Sequence, residues 1–272
     1  MSYYVSIIMS VFNGAPHVEQ AARSILNQSF KDFEFIIIDD ASTDETPLIL
    51  HKLALQDSRV LILKNEKNIG LTKSLNNALE IAQGDFIARQ DADDISLSNR
   101  IETQIHFLKQ HPRVAVAACS AIIFDDSGDE ILPCHSFDDP EIIRNMLHKR
   151  NLLIHGSAVF RKKEVLEAGA YRDKFLYAQD YDLWLRVSRM HDIRIIPEYL
   201  YKLRISPSTI SCRRRAFQNH YALMARKFDR EWRKYGKDSY ASALALIPRD
   251  SIMTEDDSAA AAAVRFHFQK AM

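Results

Sequence analysis

Two acidic clusters and one lone carboxylate stand out in this chain by their position. Asp39-Asp40 ends the apolar run Phe33-Glu34-Phe35-Ile36-Ile37-Ile38, and Asp91-Ala92-Asp93-Asp94 ends Phe86-Ile87-Ala88-Arg89. Carboxylates that converge without a matching arginine repel one another, and a hard divalent cation, Mg²⁺ or Mn²⁺, shared with substrate phosphates is a common resolution. If the chain stays extended, the period of two points Asp91 and Asp93 to the same side. A single Asp after a strand is more often a turn former or cap. Two clusters at two strand ends reverse that preference. Asp180 lies in Gln179-Asp180-Tyr181-Asp182-Leu183-Trp184-Leu185-Arg186, just ahead of a helix-spaced run. It can cap that helix, present a carboxylate to a cleft as general base, or do both. Asp182, Trp184 and Arg186 read as support for the helix, by ion pair and core packing.

These groups need strands that end at one edge. Val5 to Val11 reads as a buried strand, followed by the Asn13-Gly14-Ala15-Pro16 turn and a helix over 18–26. Phe33 to Ile38 leads to Asp39-Asp40, with Ser42 or Thr43 as cap for a helix over 45–55. Val60 to Leu63, the turn at Asn68-Ile69-Gly70 and a helix over 71–82 give a third unit, and Phe86 to Arg89 a fourth strand. Short apolar strands alternating with amphipathic helices predict a parallel sheet covered on both faces, which binds ligands beyond the carboxyl ends of its strands. After a helix over 97–109 the rhythm changes. Val114 to Phe124 reads as one or two strands, 125–129 as a loop, 140–148 as a helix and 157–160 as a strand. Residues 170–179 read as a loop, 181–190 as a helix, and 194–196 and 200–203 as two short strands. A helix over 213–232 carries Phe217, Tyr221, Met224, Phe228 and Trp232 near one face, and Ser258 with five alanines predicts a last helix.

Composition removes several classes of function. The chain has 272 residues, 47% of them hydrophobic, and 36 basic against 36 acidic groups. That is the profile of a folded globular chain. The neutral sum hides −7 over residues 1–200, +9 over 201–237 and −2 over 238–272. None of the seven glycines falls two apart from another, so no GxGxxG exists, and no GxxxxGK either. Three cysteines, Cys119, Cys134 and Cys212, make no disulfide framework, and Cys134-His135 with His148 makes no zinc pattern. No apolar run has the length to span a membrane. A cytoplasmic location is expected. The basic stretch 213–237, with its interleaved aromatics, fits a peripheral helix on the inner, anionic face of a membrane. It fits equally a solvated helix whose aromatic face packs on the domain; nucleic acid is not an expected partner.

The ordered set Tyr4 to Gly14, Ile38-Asp39-Asp40-Ala41-Ser42-Thr43-Asp44, Asn68-Ile69-Gly70-Leu71 with Asn76, Gly84 to Asp94, and Gln179 to Arg186 resembles the motifs of family 2 glycosyltransferases over residues 4–212. The resemblance implies an α/β fold of the GT-A type: a Rossmann-like, mostly parallel central sheet flanked by helices, with a C-terminal helical extension. A catalytic domain over 1–212 would divide into a nucleotide-sugar half (1–110) and an acceptor half (111–212), with 213–272 as the extension. It further implies transfer of one sugar, with inversion, from a nucleotide-diphosphate sugar, a UDP-sugar foremost, to a glycan or lipid-linked glycan in surface polysaccharide assembly.

By the same resemblance, Ser10 and Phe12 lie against the nucleobase and Asp40 accepts its imide hydrogen. Lys73 and Asn76 reach ribose or diphosphate; the family often has Arg where this chain has Leu75, so Lys73 supplies the charge. Asp91-Ala92-Asp93 resembles a DxD motif, with Asp93 the metal ligand and Asp91 nearer the ribose, and Asp180 resembles the inverting base. Gln179 stands where the family commonly has Glu, a change read as one in acceptor contacts. His155 is either structural or an acceptor or phosphate ligand, and Arg204 either a surface cation or a diphosphate contact on loop closure. The absence of QxxRW after Ser211 argues against a processive synthase. A sugar-phosphate nucleotidyltransferase, or a non-catalytic nucleotide-sugar or glycan-binding module, is the alternative.

Overall fold

A computed structural model describes residues 4–134, 139–206 and 215–243. The alanine-rich run after Ser258, His135, Cys212, Arg213 and Arg214 lie outside the described residues. In the first half, β1 (Val5–Val11), α1 (Val18–Leu26), β2 (Phe33–Asp39), α2 (Thr46–Gln56), β3 (Val60–Lys64), α3 (Leu71–Ile81) and β4 (Phe86–Arg89) follow one another as three β-α steps and a closing strand. The strands pair in parallel in the order β3-β2-β1-β4. Alternation along β1 explains the near-continuous apolar run. Val5, Ile7, Met9 and Val11 enter a core shared with α1, α2 and α4, while Ile8 enters a second core shared with α3 and the later elements.

The second half adds β5 (Ile95–Ser96), α4 (Arg100–Gln110), β6 (Val114–Phe124), β7 (Glu130–Cys134), α5 (Pro140–Leu147), β8 (Val159–Arg161), α6 (Lys162–Glu167), α7 (Gln179–Val187), β9 (Asp192–Arg204) and α8 (Arg215–Tyr235). One nine-stranded sheet results, running β3-β2-β1-β4-β8-β6-β9-β5 with β7 beside β6. β8 is antiparallel to both β4 and β6, and it welds the halves together. The sheet is flanked by helices, as expected, and its second half is mixed in direction.

Several boundaries differ from the sequence reading. The two short strands expected over 194–203 form one strand, because Pro197 and Glu198 bulge out between the pairs Cys119↔Ile196 and Ser120↔Tyr199. The fourth helix pattern starts at Arg100 and not at Leu97, whose amide is spent on Leu200 O, 2.9 Å. β7 and α6 lie where the sequence suggested no element, α7 begins two residues early, and a single 3₁₀ turn over His155–Ser157 replaces the start of the expected strand. Neither Ser42 nor Thr43 caps α2; Asp44 Oδ1 accepts the amide of Thr46 instead.

The basic helix α8 settles against the domain. Phe217, Tyr221, Ala225 and Phe228 are buried, Phe217 stacks on Tyr177, and Tyr221 and Phe228 meet Phe175 edge-on at 5.6 and 6.2 Å. Of the two readings of this segment, packing is therefore the use made of the aromatic face. Among the described residues no helix is long and apolar enough to cross a membrane.

Candidate active site

The carboxyl ends of β1, β2 and β4 meet as a parallel sheet requires. At the end of β4 the chain does not stay extended: Asp94 N–H reaches back to Asp91 O at 3.4 Å, closing a turn over Asp91–Asp94. This turn, and not strand alternation, presents the acids. It rests on a buried polar scaffold. Arg89, fully buried on β4, pairs with Asp91 Oδ1 at 2.6 Å, so the matching arginine taken to be missing is present two residues upstream. Gln90 Nε2 donates to the carbonyls of Asp91 and Asp94, both at 3.0 Å, and Ser96 Oγ holds Gln90 Oε1 at 2.6 Å. Arg100, also fully buried, donates to Gly156 O and Arg89 O at 2.6 and 2.9 Å. Gly156 is required by close approach: a Cβ there would stand 2.6 Å from Asp91 Oδ2 and 2.8 Å from the Tyr201 ring.

Arg204 is buried and not a surface cation. It is 7% exposed, its amide donates to Asp94 Oδ1 (2.7 Å), its Nε to Asp93 O (2.9 Å) and its Nη2 to Gln20 Oε1 (2.9 Å), with Phe124 beneath the guanidinium. It locks the acidic turn to the end of β9.

On the β1 and β2 side, two loops brace each other. Asn13 N–H donates to Ser42 Oγ, Thr43 N–H to Asn13 Oδ1, and Gly14 N–H to Thr46 Oγ1, all within 2.8–2.9 Å. Ser10 is half-buried at the end of β1 opposite Ile38, and Phe12 beyond it is 50% exposed, a bare ring at the carboxyl edge of the sheet. Asp40, by contrast, is 2% exposed and already bonded. Its Oδ1 accepts Asn65 Nδ2 and the Ile69 amide, and its Oδ2 the Gly70 amide, at 2.8–2.9 Å. The structure thus uses Asp40 to hold the 65–70 turn that starts α3, where an imide contact had been expected. Asn76 is likewise engaged: it donates to Tyr171 O and Asp173 Oδ1 and accepts from the Tyr171 amide, tying α3 to the 171–173 loop. Lys73 stays exposed on α3.

The second half of the chain brings Asp180 to the same locality. Asn151 Nδ2 donates to Asp180 Oδ2 at 2.7 Å, and burial pushes the Asp180 carboxyl up to about 6, with Asp91 adding to the rise. Burial also raises Asp93 to about 6, again with Asp91 contributing, while its own amide, Arg89 and Arg204 pull it down. Asp94 is driven well above its ordinary value by burial and by Asp91 and Asp93. Low dielectric and like charge are acting together. Gln179 is buried at the first turn of α7, and Asp182 pairs with Arg186 and Arg172 as expected of a supporting acid. His155 Nε2 meets Tyr171 Oη at 2.8 Å, beside Trp184; burial and Arg89 hold its imidazole well below the usual range. Its ring is engaged with Tyr171, and burial disfavours the imidazolium.

Backbone strain collects at the same edge. Asn13, Ala41 and Ala178 occupy the left-handed region at φ 52°, 64° and 51°, each within two residues of Phe12, Asp40 or Asp180. A non-glycine residue in that region costs energy that well-packed surroundings must hold, and such residues gather at functional sites. Sequence reasoning missed Arg89, Arg100, Tyr201 and Asn151. A charge at the end of a buried strand was a usable signal for Arg89; nothing local marks Asn151.

This sheet, with its acidic turn at the switch between halves, is that of the GT-A glycosyltransferase fold. Residues 1–349 of TarS from S. aureus, bound to UDP, match it with a TM-score of 0.67 at 17% identity, over 90% of this chain and 69% of that one. The mannosyltransferase PcManGT from Pyrobaculum calidifontis, with GDP-Man and Mn²⁺, matches with a TM-score of 0.65 at 18% identity, over 100% and 81%. The chain spans 37% of the longer TarS chain. In sequence, the putative glycosyltransferase EpsE of Bacillus subtilis is 36% identical over 210 residues, 74% of this chain and 72% of the relative. The amylovoran biosynthesis glycosyltransferase AmsE of Erwinia amylovora is 33% identical over 215 residues, 77% and 79%. The profile of glycosyl transferase family 2 matches residues 6–169, and the chain belongs to that family. A nucleotidyltransferase reading falls with that assignment.

Proposed function

We propose that this enzyme transfers one sugar from a nucleotide-diphosphate sugar, a UDP-sugar foremost, to a hydroxyl of a glycan or lipid-linked glycan, with inversion, in the assembly of a surface polysaccharide. The observation that carries the reading is the gathering of Asp91, Asp93 and Asp180 from the two halves, each felt electrostatically by another, with two of them held near pH 6. Perturbed carboxylates in one locality mark functional sites. The relatives add support: TarS was solved with UDP and with UDP-GlcNAc, and AmsE serves amylovoran biosynthesis.

Asp180 takes the proton of the acceptor hydroxyl as that oxygen bonds to the anomeric carbon. The bond to the diphosphate breaks with its electron pair leaving on the phosphate oxygen. A single in-line displacement needs one base and inverts the centre. At pH 7 a carboxyl titrating near 6 is mostly ionised and more basic than an ordinary aspartate, which suits it to the task.

A divalent cation fits the residues present. Asp93 is a largely buried acid without a dedicated cationic partner, whereas Asp91 has Arg89 on Oδ1 and retains Oδ2. Two hard oxygens from the protein, completed by diphosphate and water, suit Mg²⁺ or Mn²⁺. Among the described residues no third His, Cys, Asp or Glu joins them. When bound, such an ion supplies Lewis-acid stabilisation of the charge on the leaving diphosphate. Phe12 offers its ring to the base, Ser10 lies beneath it, and exposed Lys73 supplies a positive charge toward the phosphates. Asp40 and Asn76 act one step back, by holding the loops on which these groups stand.

With the aromatic face of α8 buried, contact with an anionic membrane would run through its exposed cations, Lys227, Arg230 and Lys234, without inserted rings. Sedimentation with anionic and neutral liposomes tests this; absence from both pellets rejects it. The donor site is tested by thermal shift with UDP, GDP, dTDP and CMP compounds with and without Mn²⁺. A ligand at 100 times its Kd stabilises by about 2.7 kcal/mol. No shift with any nucleotide rejects the donor site.

A further inference from the structure

Asp180 is met by a side chain that no motif marks. Asn151 follows α5 on a short segment whose amides at Lys149 and Arg150 both fold back to Met146 O, at 2.8 and 3.0 Å. Arg226 of α8 donates to Lys149 O, so the segment is anchored from the C-terminal helix as well. Asn151 Oδ1 accepts the Leu153 amide at 3.2 Å, which fixes the amide flip and leaves Nδ2 facing Asp180 Oδ2 at 2.7 Å. The two residues are 29 apart in sequence. An exposed asparagine needs no buried partner, so a bond this well defined on both ends of its amide has a use beyond satisfying Asn151.

We propose that Asn151 is the positioning residue for the general base: its amide holds Asp180 Oδ2 and so turns Oδ1 toward the acceptor hydroxyl. The inference rests on the reading of Asp180 as that base. A hydrogen bond to the charged form favours ionisation, so Asn151 works against the burial that raises the carboxyl. The backbone amides of Tyr181 and Asp180 also bond the carboxylate, and the other titratable groups bearing on it are Asp91 and Tyr171, in the loop before α7. Neither is a donor that could replace the amide: Asp91 is an acid, and the Tyr171 hydroxyl is engaged with His155. Through Arg226 and Lys149, the same contact gives α8 a hold on the base.

The test follows the carboxyl carbon of Asp180 by NMR in full-length protein labelled with [4-¹³C]aspartate, the resonance assigned by its absence in Asp180→Asn. The wild type should titrate near pH 6. Asn151→Leu should raise the midpoint by about one pH unit, and Asn151→Gln, which keeps a donor, should restore part of the shift. A midpoint unmoved by Asn151→Leu overturns the proposal. In parallel, nucleotide release is followed with Mn²⁺ from UDP-GlcNAc or GDP-mannose, whichever is turned over. Asn151→Leu should lower kcat at every pH through the lost orientation, and by about fivefold more at pH 6 than at pH 8.5 through the raised midpoint, with donor KM unchanged. An equal loss at every pH would mark a merely structural role and overturn the proposal. Full turnover by Asp180→Asn would overturn the base reading while leaving the NMR shift in place, so the two failures are told apart.

Discussion

Asp180→Asn should abolish transfer and also make the protein more stable, and the second effect is the sharper test of the electrostatics. In the fold the carboxyl is raised from 3.8 to about 6, mainly by burial. As pH rises through 3.8 the unfolded chain releases this proton first, so native stability drains away until the native carboxyl ionises near 6 and is flat above. A rise of about two units at about 1.4 kcal/mol each sets an upper limit near 3 kcal/mol of destabilisation at pH 8. About half of it is already present at pH 5 and little at pH 4. Asparagine keeps an acceptor for Asn151 Nδ2 and carries no charge to desolvate. The substitution should therefore raise Tm at pH 8 by about 5 °C, at about 2–4 °C per kcal/mol for a chain of this size. The gain should shrink as pH is lowered and vanish near pH 4. Calorimetric unfolding at pH 4, 6 and 8 in EDTA measures it. No gain at pH 8, or a gain independent of pH, would refute the reasoning, because the barrier-lowering carboxylate would then not be held at a cost.

Three further substitutions probe the scaffold. Arg89→Met leaves the partly exposed Asp91 without its cation and should cost about 1.5–3 kcal/mol in urea unfolding, with loss of Mn²⁺-dependent UDP binding, while Arg89→Lys should recover part of both. Gly156→Ala drives a methyl onto Asp91 Oδ2 and the Tyr201 ring, so it should weaken Mn²⁺-dependent UDP binding in isothermal titration by more than it lowers Tm. Ala178→Gly removes a left-handed alanine next to Gln179-Asp180 and should stabilise by about 0.5–1 kcal/mol, the relief of strain exceeding the entropy of the added glycine; urea midpoints with unchanged slope check it.

The parallel half could be read from the sequence because β1, β2 and β4 are buried on both faces, and an uninterrupted apolar run ending in acids or polar turns is what such strands must be. The later strands are less regular: the stretch between 194–196 and 200–203 read as a gap between two strands, and only the partner strand shows that it is a bulge. The candidate catalytic acids were legible by spacing. Their presentation was not, since a turn at Asp91–Asp94 depends on Arg204 and Tyr201, more than a hundred residues away. Asp40, Asn76 and Arg204 show the same limit. Each was singled out as a donor-side contact, yet each spends its bonds on the loops and turns around it, and partner choice is a tertiary property that no local pattern encodes.

The neutral net charge conceals a division of labour among the acids that only the pairing exposes. Asp182 is matched by Arg172 and Arg186, Asp229 by His148, Arg189 and Arg233, and Asp91 by Arg89. Among the described residues, the carboxyls driven above their ordinary value are Asp93, Asp94 and Asp180, raised first by burial, with Asp91 repelling each of them and Asp93 adding to Asp94. A fold able to compensate a buried Asp229 with three cations from separate segments has the means to compensate these as well. That it supplies only neutral donors to Asp94 and Asp180, and no dedicated partner to Asp93, leaves negative potential stored where a cation and an acceptor proton would discharge it. The uncompensated acids, more than the acid count, are thus the part of the sequence that specifies chemistry.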